Sequence, residues 1–125
     1  MTISTYDLGD LKLQSGEILP QAFISYETHG TLNAEKSNVI IYPTWYSGNH
    51  EDVRSAIGSD RALNPEKYFI VVPDMFGNGF SSSPSNTPPP YDRASFPAVT
   101  PYDNVLAQHR LITEKFSVTE VQLVV

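Results

Sequence analysis

The sequence predicts an α/β fold: antiparallel strands at the amino end, then a mainly parallel sheet flanked by helices. Three features predict it. Asn38-Val-Ile-Ile-Tyr42, Tyr68-Phe-Ile-Val-Val72 and Thr119-Glu-Val-Gln-Leu-Val-Val125 are short, apolar, β-branched runs, the pattern of strands buried on both faces of a parallel sheet. Helical spacing falls between them, as right-handed crossovers require. The first thirty residues instead carry closely spaced turn signals, as hairpins do. A chain of 125 residues is at most one domain, residues 1–125.

Taken in order, Tyr6-Asp-Leu8 and Leu11-Lys-Leu13 read as short strands around a Gly9-Asp10 turn, and Gly16-Glu17 marks a second turn. Gln21 to His29 alternates, with Ala22, Ile24 and Tyr26 on one side and Phe23 and Ser25 on the other. The first buried run closes at Pro43. Asp52 to Leu63 is a weak helical stretch with Val53, Ala56 and Ile57 on one side, ended by Gly58. The second buried run closes at Pro73. Asp74 to Pro101 is rich in Gly, Ser, Asn and Pro, and Pro88-Pro-Pro90 excludes helix interior and central strand. A loop of that length inside a domain is functional or disordered. Thr100-Pro101-Tyr102-Asp103 starts a helix, with Thr100 as cap, Pro101 at the first position and Asp103 near the positive end of the dipole. The helix is predicted to reach about Phe116 and to bury Val105, His109, Ile112 and Phe116. The last apolar run is predicted to be a buried strand.

Composition narrows the function classes. A net charge of −6 repels phosphate backbones and argues against nucleic-acid binding. The absence of Cys excludes disulfides, thiolate catalysis and cysteine-held metals, and fits a reducing compartment. The amino end has no basic stretch leading into an apolar one, so it does not read as a signal peptide. No apolar run approaches the ~18 residues of a membrane span. A cytoplasmic protein without membrane contact is the default. His29, His50 and His109 match no zinc spacing, and neither metal nor cofactor is expected. His50-Glu51-Asp52 reads as a solvated loop, and His109 as a core or boundary residue.

Two loops carry candidate chemistry. Pro43-Thr-Trp-Tyr-Ser-Gly48 follows a strand at the carboxyl edge, where open parallel sheets bind ligands. A backbone N–H there can face a developing negative charge. Thr44, Trp45, Tyr46 and Ser47 would line the pocket and Gly48 would permit the turn; the alternative is an aromatic turn that only closes the sheet. Asp74-Met-Phe-Gly-Asn-Gly-Phe-Ser81 follows the next strand. Its Gly77-x-Gly79 is a poor dinucleotide loop, because Pro84 and Pro88 to Pro90 forbid the helix such a site needs. It reads as a tight turn in which the glycines let the chain pass close to a neighbouring loop, with Asp74 holding the turn by side-chain hydrogen bonds. Ser81-Ser-Ser83 lies on a flexible loop without a positioned base, which makes a poor nucleophile. No G-x-S-x-G occurs, so no catalytic residue is assigned.

These pieces resemble the homoserine O-acetyltransferase group of the α/β-hydrolase superfamily, from about Phe23 onward. Tyr26-Glu-Thr-His-Gly-Thr-Leu-Asn33 is similar to that group's "Y-E-T-x-G-x-L-N". Ile57-Gly58, Ala62-Leu63 and Lys67-Tyr-Phe69 are similar to its segment before the fourth strand. Phe96-Pro-Ala-Val-Thr-Pro-Tyr-Asp-Asn-Val-Leu-Ala-Gln108 is similar to "F-P-x-V-T-x-x-D-x-V-x-A-Q" and is the most specific match. Asp74-x-x-Gly77-x-Gly79-x-Ser81 is similar to a broader α/β-hydrolase turn. The resemblance implies the N-terminal part of an α/β-hydrolase fold, ending just before the nucleophile. It implies an oxyanion donor at Tyr46 N–H, or Trp45 N–H if the register slips by one. The Ser, Asp and His of the triad would follow Val125. An acyl donor, such as a CoA thioester or ester, and a hydroxyl or water acceptor are the implied small-molecule partners. Two loops depart from the family: its "H-A-L-T-G" is here Thr44-Trp-Tyr-Ser-Gly48, and its "G-S-T-G-P-S-S" is here Gly77-Asn-Gly-Phe-Ser-Ser-Ser83. Both line the site, so hydrolysis competes with transfer. The rival reading is a non-catalytic chain that associates, as a homodimer or with a partner, through the Val121, Leu123, Val125 strand edge.

Overall fold

In the computed structural model, which describes Met1–Val125, five strands form one mixed sheet in the order β1-β2-β4-β3-β5. β1 (Thr2–Lys12) and β2 (Ile18–His29) make an antiparallel hairpin. The turn closes through Leu13 N–H to the Glu17 carbonyl at 2.8 Å, with Gly16 at a φ of +92°. β4 (Phe69–Pro73) pairs antiparallel with β2 and parallel with β3 (Val39–Ile41). β5 (Leu123–Val124) adds to the far side of β3, also parallel.

The expected turn at Gly9-Asp10 is instead a bulge within one long strand. The register slips on both sides of Gly9, which faces Ala22 at a φ of +68°. Asp10 Oδ1 accepts the Gln21 N–H at 3.0 Å, so a side chain supplies a partner beside the disrupted ladder.

Burial on both faces is what the apolar runs foretold. Val39, Ile41, Phe69 and Val71 face the larger core, which includes Leu19, Ile24 and Tyr26 of the hairpin. Ile40, Ile70 and Val72 face the opposite side and pack with Val53. The helix α1 (Pro101–Arg110) and the wider turn Leu111–Lys115 cover the larger core through Ala107, Leu111 and Ile112. Phe116 sets its ring edge-on to Tyr26 and Phe69, with centroids 5.8 and 5.2 Å apart.

Three expectations about elements are corrected. Asp52 to Leu63 is no helix: it holds one short turn, Arg54–Ala56. Arg54 is recruited to β2, while Val53 is buried in the smaller core and Ile57 and Leu63 pack against it at irregular spacing. The predicted buried stripe of the helix holds at Ile112 and Phe116 and fails at its first two positions. Val105 is 62% exposed and His109 is exposed, while Asp103, Asn104, Ala107 and Gln108 are buried. Polar residues occupy the inner face because neighbouring loops need their oxygens. Asp103 Oδ1 accepts the Gln14 N–H at 2.7 Å, and Asn104 Oδ1 accepts the Phe76 N–H at 2.8 Å. The third correction is β5, which is two residues long and exposed rather than buried. It is paired on one side only, so its apolar side chains lack a second neighbour. The helix start is as predicted, with a reciprocal capping box between Thr100 and Asp103 and Pro101 in the first turn.

Candidate active site

β3 and β4 are adjacent and parallel, so their carboxyl ends deliver two loops side by side. The parallel pairing runs past the strands, with Tyr42 N–H to Val71 O at 2.9 Å and Thr44 N–H to Pro73 O at 3.2 Å. The loops then separate around a cavity of about 460 Å³, walled by Tyr46 to Asn49 on one side and Met75 to Asn78 on the other.

The first loop is held at three points. Thr44 is buried, and its Oγ1 accepts the Met75 N–H at 3.2 Å. The Gly48 N–H returns to the Trp45 carbonyl at 3.1 Å, closing a turn. The His50 N–H donates to Asp74 Oδ1 at 2.9 Å. Between these points the N–H groups of Trp45, Tyr46 and Ser47 have no partner within the chain. Tyr46 is 94% exposed. The Trp45 indole covers Gly48, where an added Cβ would stand 2.5 Å from its Nε1.

Of the residues expected at the pocket, Tyr46, Ser47, Gly48 and Gly77 wall the cavity. Thr44 and Asp74 lie buried beneath it as ties between the loops. Trp45 packs on Gly48 instead of on the cavity wall, and Gly79 sits outside it, donating its N–H to Ser83 Oγ at 2.8 Å. Close approach is not why Gly77 and Gly79 are glycines, since a Cβ on either would meet nothing within 4 Å. Their φ values of +91° and +94° are the reason.

His50 is the residue that sequence reasoning missed. It is no solvated loop residue: it is 1% exposed, and its Nδ1 lies 2.7 Å from Asp74 Oδ2. Phe80 stacks edge-on against the imidazole, with centroids 4.8 Å apart. The available signal was a His and an Asp placed just after two successive buried strands.

Ser81-Ser-Ser83 is also unlike the expected flexible segment. All three are buried and their hydroxyls are engaged. Ser81 Oγ accepts the Ser25 N–H and donates to the Asp74 carbonyl, both at 2.8 Å. Ser82 Oγ accepts the Phe23 N–H at 2.9 Å. Where β4 has ended, these hydroxyls meet the edge of β2 in its place.

The outer end of the first loop is anchored by Arg54, which forks onto Glu27 of β2 at 2.7 to 3.1 Å. Glu27 is fully buried. Burial alone pushes its carboxyl up, but the Arg54 hydrogen bonds and charge, with His29, outweigh it and hold it below the ordinary carboxylate range. No group of three or more His, Asp or Glu side chains converges as metal ligands do. No helix is long and apolar enough to cross a membrane.

The mixed sheet with paired loops at the carboxyl ends of its parallel strands is that of an open α/β fold, and its superposition on solved structures gives the class: this is part of an α/β-hydrolase fold. The chain's homologues include esterases and homoserine O-acetyltransferases of that fold. It is 44% identical over 120 residues to an ethyl acetate hydrolase of Pseudomonas veronii, covering 95% of this chain and 34% of that one. It is 33% identical over 140 aligned residues to a homoserine O-acetyltransferase of Sulfurimonas autotrophica, covering 99% and 38%. An acetylester hydrolase from Corynebacterium glutamicum, solved by crystallography, superposes with a TM-score of 0.94 at 42% identity, over 98% of this chain and 36% of that one. The chain thus spans about a third of the length of the relatives it matches. No family model matches it.

Proposed function

We propose that this chain supplies the oxyanion side of a serine-type acyl-transfer site that hydrolyses small esters. The Tyr46 N–H would be one oxyanion donor, with the Trp45 N–H the alternative. The observation that carries the reading is the run of unpartnered amides at 45–47, fixed on both sides at the carboxyl end of a parallel strand. Donors held in place before reaction stabilise a tetrahedral intermediate without reorganising, and removal of one such donor costs on the order of 10²–10³ in rate. The nucleophile, acid and base would come from outside these 125 residues, since no G-x-S-x-G occurs among them.

The acyl donor in this reading is a small ester or an acyl-CoA thioester, and the acceptor is water or a hydroxyl. Water is the preferred acceptor because the relatives at 44% and 42% identity are named as ester hydrolases, whereas the acetyltransferase is at 33%. The cavity of about 460 Å³ is of the size that binds small molecules.

Purified residues 1–125 should turn over p-nitrophenyl acetate no faster than a denatured control. The reading DNA downstream of the Val125 codon should continue into G-x-S-x-G, and the joined protein should hydrolyse acetyl esters. Turnover by residues 1–125 alone would sink the proposal.

A stop codon at that position would favour the second reading, association without catalysis. One observation supports that alternative: β5 exposes Leu123 and Val124 along an unpaired edge. A discrete, salt-resistant dimer in sedimentation would be its signature.

A further inference from the structure

Asp74 joins the two loops with a single buried carboxylate. Its Oδ1 accepts the His50 N–H at 2.9 Å and an Asn78 Nδ2–H at 3.0 Å. Its Oδ2 lies 2.7 Å from His50 Nδ1. Asn78 Nδ2 also reaches the Gly48 carbonyl, at 3.2 Å. Burying a carboxylate is costly unless charge-assisted hydrogen bonds offset it, and a turn alone would need only one of these bonds. The ties fall at positions 44, 48 and 50, bracketing the amides of 45–47 that have no partner. His50 does not wall the cavity, and its contacts to Asp74 run through the loop. Its Nε2 makes no hydrogen bond, and its ring packs against Phe80.

We infer that His50 and Asp74 are a positioning pair: the Nδ1–H of His50, held by the Asp74 carboxylate, fixes the first loop so that the segment carrying the free amides keeps its place at the cavity wall formed by Tyr46 and Ser47. This rests on the acyl-transfer reading for its purpose, though not for its geometry. A carboxylate can only accept, so the ring proton on the Asp74 side belongs to Nδ1. The pair sets where the donors stand and takes no part in bond making.

The test is nuclear magnetic resonance on residues 1–125. The His50 ring should show a downfield, slowly exchanging proton on Nδ1. In Asp74→Asn the amide of residue 50 should exchange about tenfold faster or more, as loss of a charge-assisted bond predicts, and the Tyr46 amide resonance should move. His50→Leu should do the same, whereas His50→Asn, which offers an N–H donor close to the position of Nδ1, should restore protection. Amides of β2 and β4 serve as the control for intact folding. An imidazole protonated on Nε2 with Nδ1 bare would overturn the proposal, and that measurement needs no variant. So would a His50→Leu chain protected as well as His50→Asn, because packing alone would then hold the loop. These readouts do not depend on ester turnover, so a failed hydrolysis assay would count against the acyl-transfer reading and leave the pairing standing.

Discussion

At the scale of single residues, charge and space make definite demands. Glu27 is a buried carboxylate whose pKa is held down, chiefly by Arg54 against the upward push of burial. A depressed carboxyl adds stability above its unfolded pKa and loses it as pH falls through the folded value. Melting temperature should therefore drop as pH is lowered from about 5 to 3, and Glu27→Gln should flatten that part of the profile. Arg54→Met should lower the midpoint of a denaturant melt, because it leaves the buried Glu27 carboxylate without its partner, and solvent at the exposed third of Arg54 should moderate the loss. Two glycines should part company. A Cβ at Gly30 would fall on the backbone carbonyls of Tyr68 and Pro65, at a φ of +82°. Gly30→Ala should cost about 2–3 kcal/mol from clash and strain. A Cβ at Gly48 meets the half-exposed Trp45 indole, which can swing away. Gly48→Ala should cost under about 1 kcal/mol, yet red-shift the fluorescence of the single tryptophan.

At the scale of elements, legibility followed periodicity. The strands at 39–41 and 69–73 were readable because continuous β-branched runs have few other uses. The start of α1 was readable because Thr, Pro and Asp each answer a different need of a helix end. Its inner face was not. Val105 and His109 satisfied helical spacing, but Asp103 and Asn104 took buried positions through hydrogen bonds that no hydrophobic pattern records. The site divided in the same way. Loop positions followed from strand ends, so Tyr46, Ser47, Gly48 and Gly77 could be placed near one another. The partner of Asp74 could not, because His50 is brought to it by two loops whose course the local sequence does not set. Thr100→Ala should destabilise by about 1 kcal/mol. Asp103→Asn should cost more, because Asp103 also accepts the Gln14 N–H at the hairpin tip. Chemical denaturation of the two variants checks the order.

At the scale of the whole molecule, the sheet is uneven. One side of α1 is open: Val105, His109 and Ile112 face Ile41, Val121 and Val124 across a groove of about 340 Å³. With β5 unpaired on its outer side, a considerable apolar area stays in water. Residues 1–125 should therefore melt below about 60 °C, near the upper end for mesophile domains, and self-associate with rising concentration. Val124→Lys should reduce that association by placing a charge on the edge, which light scattering would detect. The order of strands and the one helix was legible in the alternation of elements, but helices on both faces were not met: α1 covers the larger core and the opposite face carries only the short turn Arg54–Ala56. The bareness of one flank was not, because an apolar run looks the same whether or not a second strand lies beside it.

The Ser81–Ser83 segment carries a consequence for how this chain tolerates change. In a β-ladder the bonding belongs to the peptide groups, so side chains can vary while the pairing persists. Along the stretch of β2 beyond β4, the acceptors for Phe23 and Ser25 are hydroxyls. The carbonyls of the same two residues still take peptide N–H groups, from Ser82 and Asp74, so half of the pairing there is written in side-chain identity. A saturation scan scored for folding should find Ser81 and Ser82 about as restrictive as core leucines, and far more restrictive than the strand residues they serve.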